Sequence, residues 1–149
     1  MKTFILFLFI TLCSLSFADT FIVVADGEVR AFIDSQNGTI YLWDGRPTAY
    51  LTMSAPNKVQ LKEGESHIYG FNGLHLGWYY QGHFLDHEKK VTGMVDSVYE
   101  GLTKKVGNQG LKRHRPYRQI QRLAPFYKIN TSDQWSNTSL VNFLLNGRP

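Results

Sequence analysis

The sequence predicts an all-β protein: four consecutive β-hairpins arranged around a pseudo-four-fold axis, followed by a polyproline-II-like basic tract and a short C-terminal helix. Three observations carry this prediction. A pattern centred on a turn recurs four times between Phe21 and Val95. From Gly101 to Ile129 no residue is acidic, and apolar residues recur at every third position. Near the C-terminus, Leu140, Phe143 and Leu144 make an apolar stripe at helical spacing.

Residues 1–18 read as a secretory signal peptide. Lys2 precedes an apolar run from Phe4 to Leu12, and Ser16-Phe17-Ala18 places small residues where a signal peptidase cuts. The run is about a dozen residues, short of the roughly 20 that span a bilayer, so cleavage near Ala18 is expected rather than a membrane anchor. The expected product is exported, periplasmic or secreted, with no transmembrane span. Cys13 leaves with the leader, which excludes disulfides, thiol nucleophiles and cysteine–metal sites. Without Lys2, 15 basic residues stand against 12 acidic ones. That excess is too slight to indicate a nucleic-acid partner. Hydrophobic residues make up 43% of the chain, enough for a packed core.

Residues 19–100 hold the repeat. With the turns aligned at Gly27, Gly45, Gly73 and Lys89, a large apolar residue stands five positions earlier: Ile22, Ile40, Ile68 and Phe84. A small one stands four positions later: Ala31, Ala49, Gly77 and Gly93. Asp26-Gly27, Asp44-Gly45 and Asn72-Gly73 are hairpin signals, and two-residue type I′ turns are expected there. Glu88-Lys89 is the weakest of the four, and a longer or looser loop is expected. A two-residue turn pairs each large residue with its small one and puts Val24/Val29, Leu42/Pro47, Gly70/His75 and Asp86/Val91 on that same face. An isolated hairpin is marginal in water, so four are expected to bury one another. The small residues then mark close backbone approach near a common axis, and a ring of hairpins leaves no long free edge.

The stretches Ile40-Tyr41-Leu42-Trp43-Asp44-Gly45-Arg46-Pro47-Thr48-Ala49-Tyr50 and Ile68-Tyr69-Gly70-Phe71-Asn72-Gly73-Leu74-His75-Leu76-Gly77-Trp78, with the following Asp86-His87 segment, resemble the bacterial four-fold β-flower domain. The resemblance runs from about Phe21 to Asp96. It implies four hairpin petals. The family carries no established activity or catalytic residues, so none is transferred.

Residues 101–129 form the basic tract. Leu111, His114, Tyr117, Ile120, Leu123, Phe126 and Ile129 recur at every third position, which is the polyproline II period. Pro116 and Pro125 fit that conformation and oppose a helix. At about 3.1 Å per residue the run would reach roughly 60 Å. The expected arrangement is a belt whose apolar edge packs on the petals and whose arginines lie outward in water. The competing reading is a free arm that binds polyanions, with Lys112, Arg113, Arg115, Arg118 and Arg122 as candidate anion-binding residues. Within residues 130–149, Thr138 or Ser139 is placed to cap a helix of two turns, with Asn146-Gly147 as its stop. The helix is expected to dock back onto the domain, with Trp135 as an anchor.

Little in the sequence suggests catalysis. His83, Asp86 and His87, with His67 and His75 nearby, offer metal or hydrolase chemistry. On a strand, however, His83 and His87 would stand about 13 Å apart. There is no nucleophile elbow, phosphate loop or dinucleotide fingerprint. Tyr41, Trp43, Tyr69, Phe71, Trp78, Tyr79 and Tyr80 are either a sugar-stacking platform or petal packing. The functional expectation is a non-enzymatic binding or structural module at the bacterial envelope, without a cofactor. Its expected partners are anionic envelope components or another envelope protein. A basic arm on anionic lipid or polysaccharide is one alternative, and a small metal-dependent hydrolase using His83, Asp86 and His87 is the other.

Overall fold

Eight strands pair consecutively, and the last returns to the first. They are β1 (Thr20–Val23), β2 (Glu28–Ile33), β3 (Thr39–Leu42), β4 (Pro47–Leu51), β5 (Glu65–Gly70), β6 (His75–Tyr80), β7 (His83–Leu85) and β8 (Val91–Val95). Every neighbouring pair is antiparallel, and β1 bonds to both β2 and β8, so the sheet closes into a barrel. A two-residue strand, β9 (Lys104–Lys105), adds parallel to the start of β2. Helix α1 (Leu140–Leu145) follows. This computed structural model describes residues 18–52, 65–126 and 133–149. The leader expected in residues 1–18 falls almost wholly outside the described residues. Ile129 also falls outside them. Among the described residues, no helix is long and apolar enough to cross a membrane.

The four large–small pairs form as the spacing requires. Ile22 faces Ala31, Ile40 faces Ala49, Ile68 faces Gly77 and Phe84 faces Gly93. The turns themselves differ from the expectation. Each hairpin has a bulge immediately after its large residue, so the next pairs are Val23 with Val29, Tyr41 with Pro47, Tyr69 with His75 and Leu85 with Val91. In the first hairpin the Gly27 N–H donates to the Val24 carbonyl at 2.9 Å, and the Val24 N–H donates to the Glu28 carbonyl at 3.0 Å. That is a three-residue loop closed by a bulge, in which only the last residue has positive φ. Gly27, Gly45 and Gly73 take φ of 83°, 84° and 77° there.

The fourth turn is not looser. Lys89 adopts φ 63° and makes the same pair of backbone bonds, to and around Asp86. In the first three turns the residue before glycine accepts an N–H from two positions on, as Asp44 Oδ1 does from Arg46 at 3.1 Å. In the fourth, Asp86 Oδ1 does this, accepting from the Glu88 and Lys90 amides at 2.9 Å each. A carboxylate three positions before the left-handed residue thus substitutes for the Asp or Asn that stands one position before glycine in the others.

Inside the barrel, Ile22, Ala31, Ile40, Ala49, Ile68 and Phe84 share one core with Leu140, Phe143 and Leu144 of α1. Ser139 caps the helix, accepting the Asn142 N–H at 3.3 Å. Six residues are too few for a helix to persist by propensity, so its apolar stripe must be held by the barrel. The small residues make room for it. A Cβ on Gly77 would collide with the Leu85 carbonyl and crowd the Phe143 ring, and one on Gly93 would crowd Ile22 and Leu140. Trp135 packs beside Trp78, Leu85 and Val91 and bridges to Val91.

Candidate functional site

After β8 the chain runs across the outside of the hairpin turns as a strap. The contacts repeat at an interval of nine residues. The carbonyls of Leu102, Leu111 and Ile120 lie against the turn glycines Gly27, Gly45 and Gly73, where a Cβ would collide with each of them. Two residues further along, the amides of Lys104, Arg113 and Arg122 donate to the carbonyls of the same glycines at 2.7, 3.0 and 2.9 Å. The amides of Gly110 and Gln119 donate to Trp43 and Phe71 at 2.8 and 2.9 Å. Side chains add to this. The Trp43 indole N–H donates to the Val106 carbonyl, and the Tyr69 hydroxyl to the Arg122 carbonyl, each at 2.9 Å.

The strap is docked, but with the opposite face inward from the one its sequence suggested. Leu111, Tyr117, Ile120, Leu123 and Phe126 are exposed at 90, 94, 93, 98 and 104%. His114 is exposed as well. Four of the cationic side chains, Lys105, Lys112, Arg115 and Arg118, turn toward the barrel. Lys112 Nζ lies 2.7 Å from Asp19 and 3.0 Å from Asp34. Arg118 stacks over the Tyr50 ring at 3.9 Å, and Lys105 over Phe21 at 4.0 Å. Arg115 donates to the Thr39 hydroxyl at 3.4 Å. The physical reason lies in the surface the strap meets: aromatic faces, two carboxylates and unpaired turn carbonyls. Such a surface attracts guanidinium, ammonium and N–H groups more than it attracts alkyl chains. Burial works to raise the Asp34 carboxyl, but hydrogen bonds from Lys112 and the Gln36 amide, with the Lys112 charge, hold it below its usual value.

Of the candidate anion-binding residues, Lys112, Arg115 and Arg118 are therefore committed to the barrel. Arg113 and Arg122 are exposed, with no side-chain partner among the described residues. The aromatic platform is not available either. Tyr41, Tyr69, Phe71, Trp78 and Tyr79 are buried, and Trp43 is half-buried against the strap.

The histidines regroup. The bulge in the third hairpin moves His75 off the core face, where a two-residue turn would have placed it, to a position opposite Tyr69. There it joins His67. His67 Nδ1 lies 3.0 Å from His75 Nε2, and His75 Nδ1 lies 2.9 Å from His87 Nε2. The His75 and His87 rings stack with centroids 5.2 Å apart, and the Trp78 ring edge closes the group. Burial, then the charges of His87 and His67, lower the His75 pKa to about 4. A cleft of about 530 Å³ opens beside the cluster, lined by Leu74, His75, Leu76, His87 and Phe143.

His83 is not part of this group: its Nδ1 lies 3.0 Å from the Gln81 carbonyl. The Asp86 carboxylate caps its own turn and accepts the Ser136 hydroxyl at 2.5 Å. The proposed trio of His83, Asp86 and His87 is thus not assembled, and this serine bonds a carboxylate instead of an imidazole. Among the described residues, no three His, Cys, Asp or Glu side chains converge as a metal site. In the ladder, imidazole nitrogens face one another pairwise as donor and acceptor, so they do not share a common point.

A family model described as "4-fold beta flower protein" matches residues 25–144. The chain belongs to the 4-fold beta flower family. The match extends well past the hairpins, so in this beta flower protein the strap and the helix lie within the family's span. Neither curated proteins nor solved structures give a match. The sequence signal for the strap was the three-residue period. The signal for the histidine ladder was weaker: four histidines in the third and fourth hairpins, three of which form it, with no residue to mark the bulge.

Proposed function

We propose that this beta flower protein is a non-enzymatic, exported module that binds anionic surfaces of the bacterial envelope through its strap. The observation that carries this reading is the pair of exposed guanidiniums, Arg113 and Arg122, which have no side-chain partner among the described residues, on a strap with no acidic residue. They sit at equivalent positions, two residues past successive turn contacts, and their own amides are tied to the barrel. The charge is therefore held in place instead of being spread over a mobile arm. Residues near an anionic surface contribute about 1 kcal/mol per cation, so the pair amounts to roughly 30-fold in affinity.

Export is supported by the apolar run from Phe4 to Leu12 and by Ser16-Phe17-Ala18. The mass of the protein recovered from the periplasm or medium should match a chain beginning at Asp19; recovery of an intact Met1 leader in the cytoplasm would overturn export. The recurrence of one bulged hairpin four times supports a pseudo-four-fold arrangement. The three-residue apolar period with Pro116 and Pro125 supports a polyproline-II-like strap. Retention on a dextran sulfate column tests the binding reading. Wild type should elute at higher salt than the Arg113→Gln/Arg122→Gln variant, and equal elution would remove the reading.

A further inference from the structure

We propose that the outer edge of the strap inserts into the interfacial layer of an anionic phospholipid bilayer. This rests on the anionic-surface reading and narrows it to one ligand class. Leu111, Tyr117, Ile120, Leu123 and Phe126 are each at least 90% exposed. Single exposed apolar residues are ordinary, but five of them along one edge of a docked strap mark an interaction site.

The row cannot fold back onto its own barrel. Backbone hydrogen bonds flank it at Gly110, Arg113, Gln119 and Arg122. The inward face of the strap is already filled by Lys112, Arg115 and Arg118. Turning the apolar edge inward would break these contacts and expose Asp19 and Asp34 without their counter-ion.

The chemistry of the row favours lipid over the other anionic surfaces. A polysaccharide offers sulfate, phosphate or carboxylate to the guanidiniums and sugar faces to Tyr117 and Phe126, but little to the alkyl chains of Leu111, Ile120 and Leu123. A bilayer interface takes both: acyl chains and carbonyl groups accept Leu, Ile, Tyr and Phe, and the phosphates pair with Arg113 and Arg122. Charge complementarity points the same way, since no carboxylate lies anywhere on the strap to repel a headgroup. From Tyr117 to Phe126 successive apolar side chains stand three residues apart on extended chain, about 9 Å, and Leu111 lies six residues before Tyr117, so they form a spread line. A deformable lipid surface accommodates such a line without the shape complementarity that a protein partner would need.

The experiment is flotation of the full chain with vesicles of phosphatidylcholine and phosphatidylglycerol, at low and high salt, beside dextran sulfate binding. The test variant carries Leu111→Ser, Ile120→Ser, Leu123→Ser and Phe126→Ser. Wild type should stay on vesicles at a salt concentration that releases it from dextran sulfate. The variant should bind vesicles at least about 100-fold more weakly and bind dextran sulfate as wild type does. Unchanged vesicle binding by the variant overturns the proposal. Wild type that binds dextran sulfate but not vesicles overturns insertion alone, and wild type that binds neither overturns the anionic-surface reading with it. A wild-type dimer that the variant converts to monomer would assign the row to a second copy and overturn it as well. Should the variant fail to fold, Tyr117→Trp supplies an independent readout. Its emission, after subtraction of the wild-type signal from Trp43, Trp78 and Trp135, should shift to the blue with anionic vesicles, and an unshifted difference spectrum overturns insertion.

Discussion

Lys89 occupies the left-handed position that glycine fills in the other three hairpins, at φ 63°. An L-residue there costs about 1–2 kcal/mol, partly offset by the entropy that glycine would lose on folding. Lys89→Gly should therefore raise stability by about 0.5–1 kcal/mol, read from the urea midpoint at constant slope. A second residue-scale prediction concerns His75. The ladder needs a donor and an acceptor at each of its two links, and it can take one added proton without losing either. A second proton sets two N–H groups face to face and breaks a link. His75 is held near 4, below the ordinary 6.5, so the unfolded chain binds more protons in between. Stability is thus fully present above about 6.5 and falls as pH drops toward about 4, by about 2 kcal/mol once solvent at the cleft is discounted. Thermal melts across that range should show the slope, and His75→Leu should flatten it.

The elements depend on one another, and the contacts between strap and turns show this best. Gly45→Ala forces a positive φ on alanine and drives its Cβ into the Leu111 carbonyl. It should cost about 2 kcal/mol or more and loosen the strap before the barrel. Limited trypsin digestion checks this: cleavage after Lys112 and Arg113 should accelerate while the barrel resists. Helix α1 depends on the barrel in the same way. Phe143→Ala empties the space beside Gly77 and should cost about 3–5 kcal/mol, measured by chemical denaturation. The helix was legible because a stripe, a cap and a stop lie within a dozen residues, and the structure chose Ser139 over Thr138 as the cap. The bulges were not. Asp-Gly suits both a two-residue and a three-residue loop, and the choice is made by how the strands twist within the closed sheet. That one-residue difference moved His75 to another face and built the ladder, which no spacing in the sequence announces.

For the whole molecule, the four hairpins, their large–small pairing, the absence of a long free edge and the presence of a docking helix were all legible in the chain's local pattern. Each follows from local pattern: periodicity, turn residues and side-chain volume at fixed separations. The tertiary structure alone decided which side of the strap faces the barrel. A three-residue period shows that two edges differ. It cannot show which one meets the barrel, because that depends on the surface the strap meets. Here that surface displays aromatic rings, Asp19, Asp34 and turn carbonyls, gathered from residues far apart in the chain. It draws in Lys112, Arg115, Arg118 and the backbone amides, and the apolar edge from Leu111 to Phe126 is left facing outward.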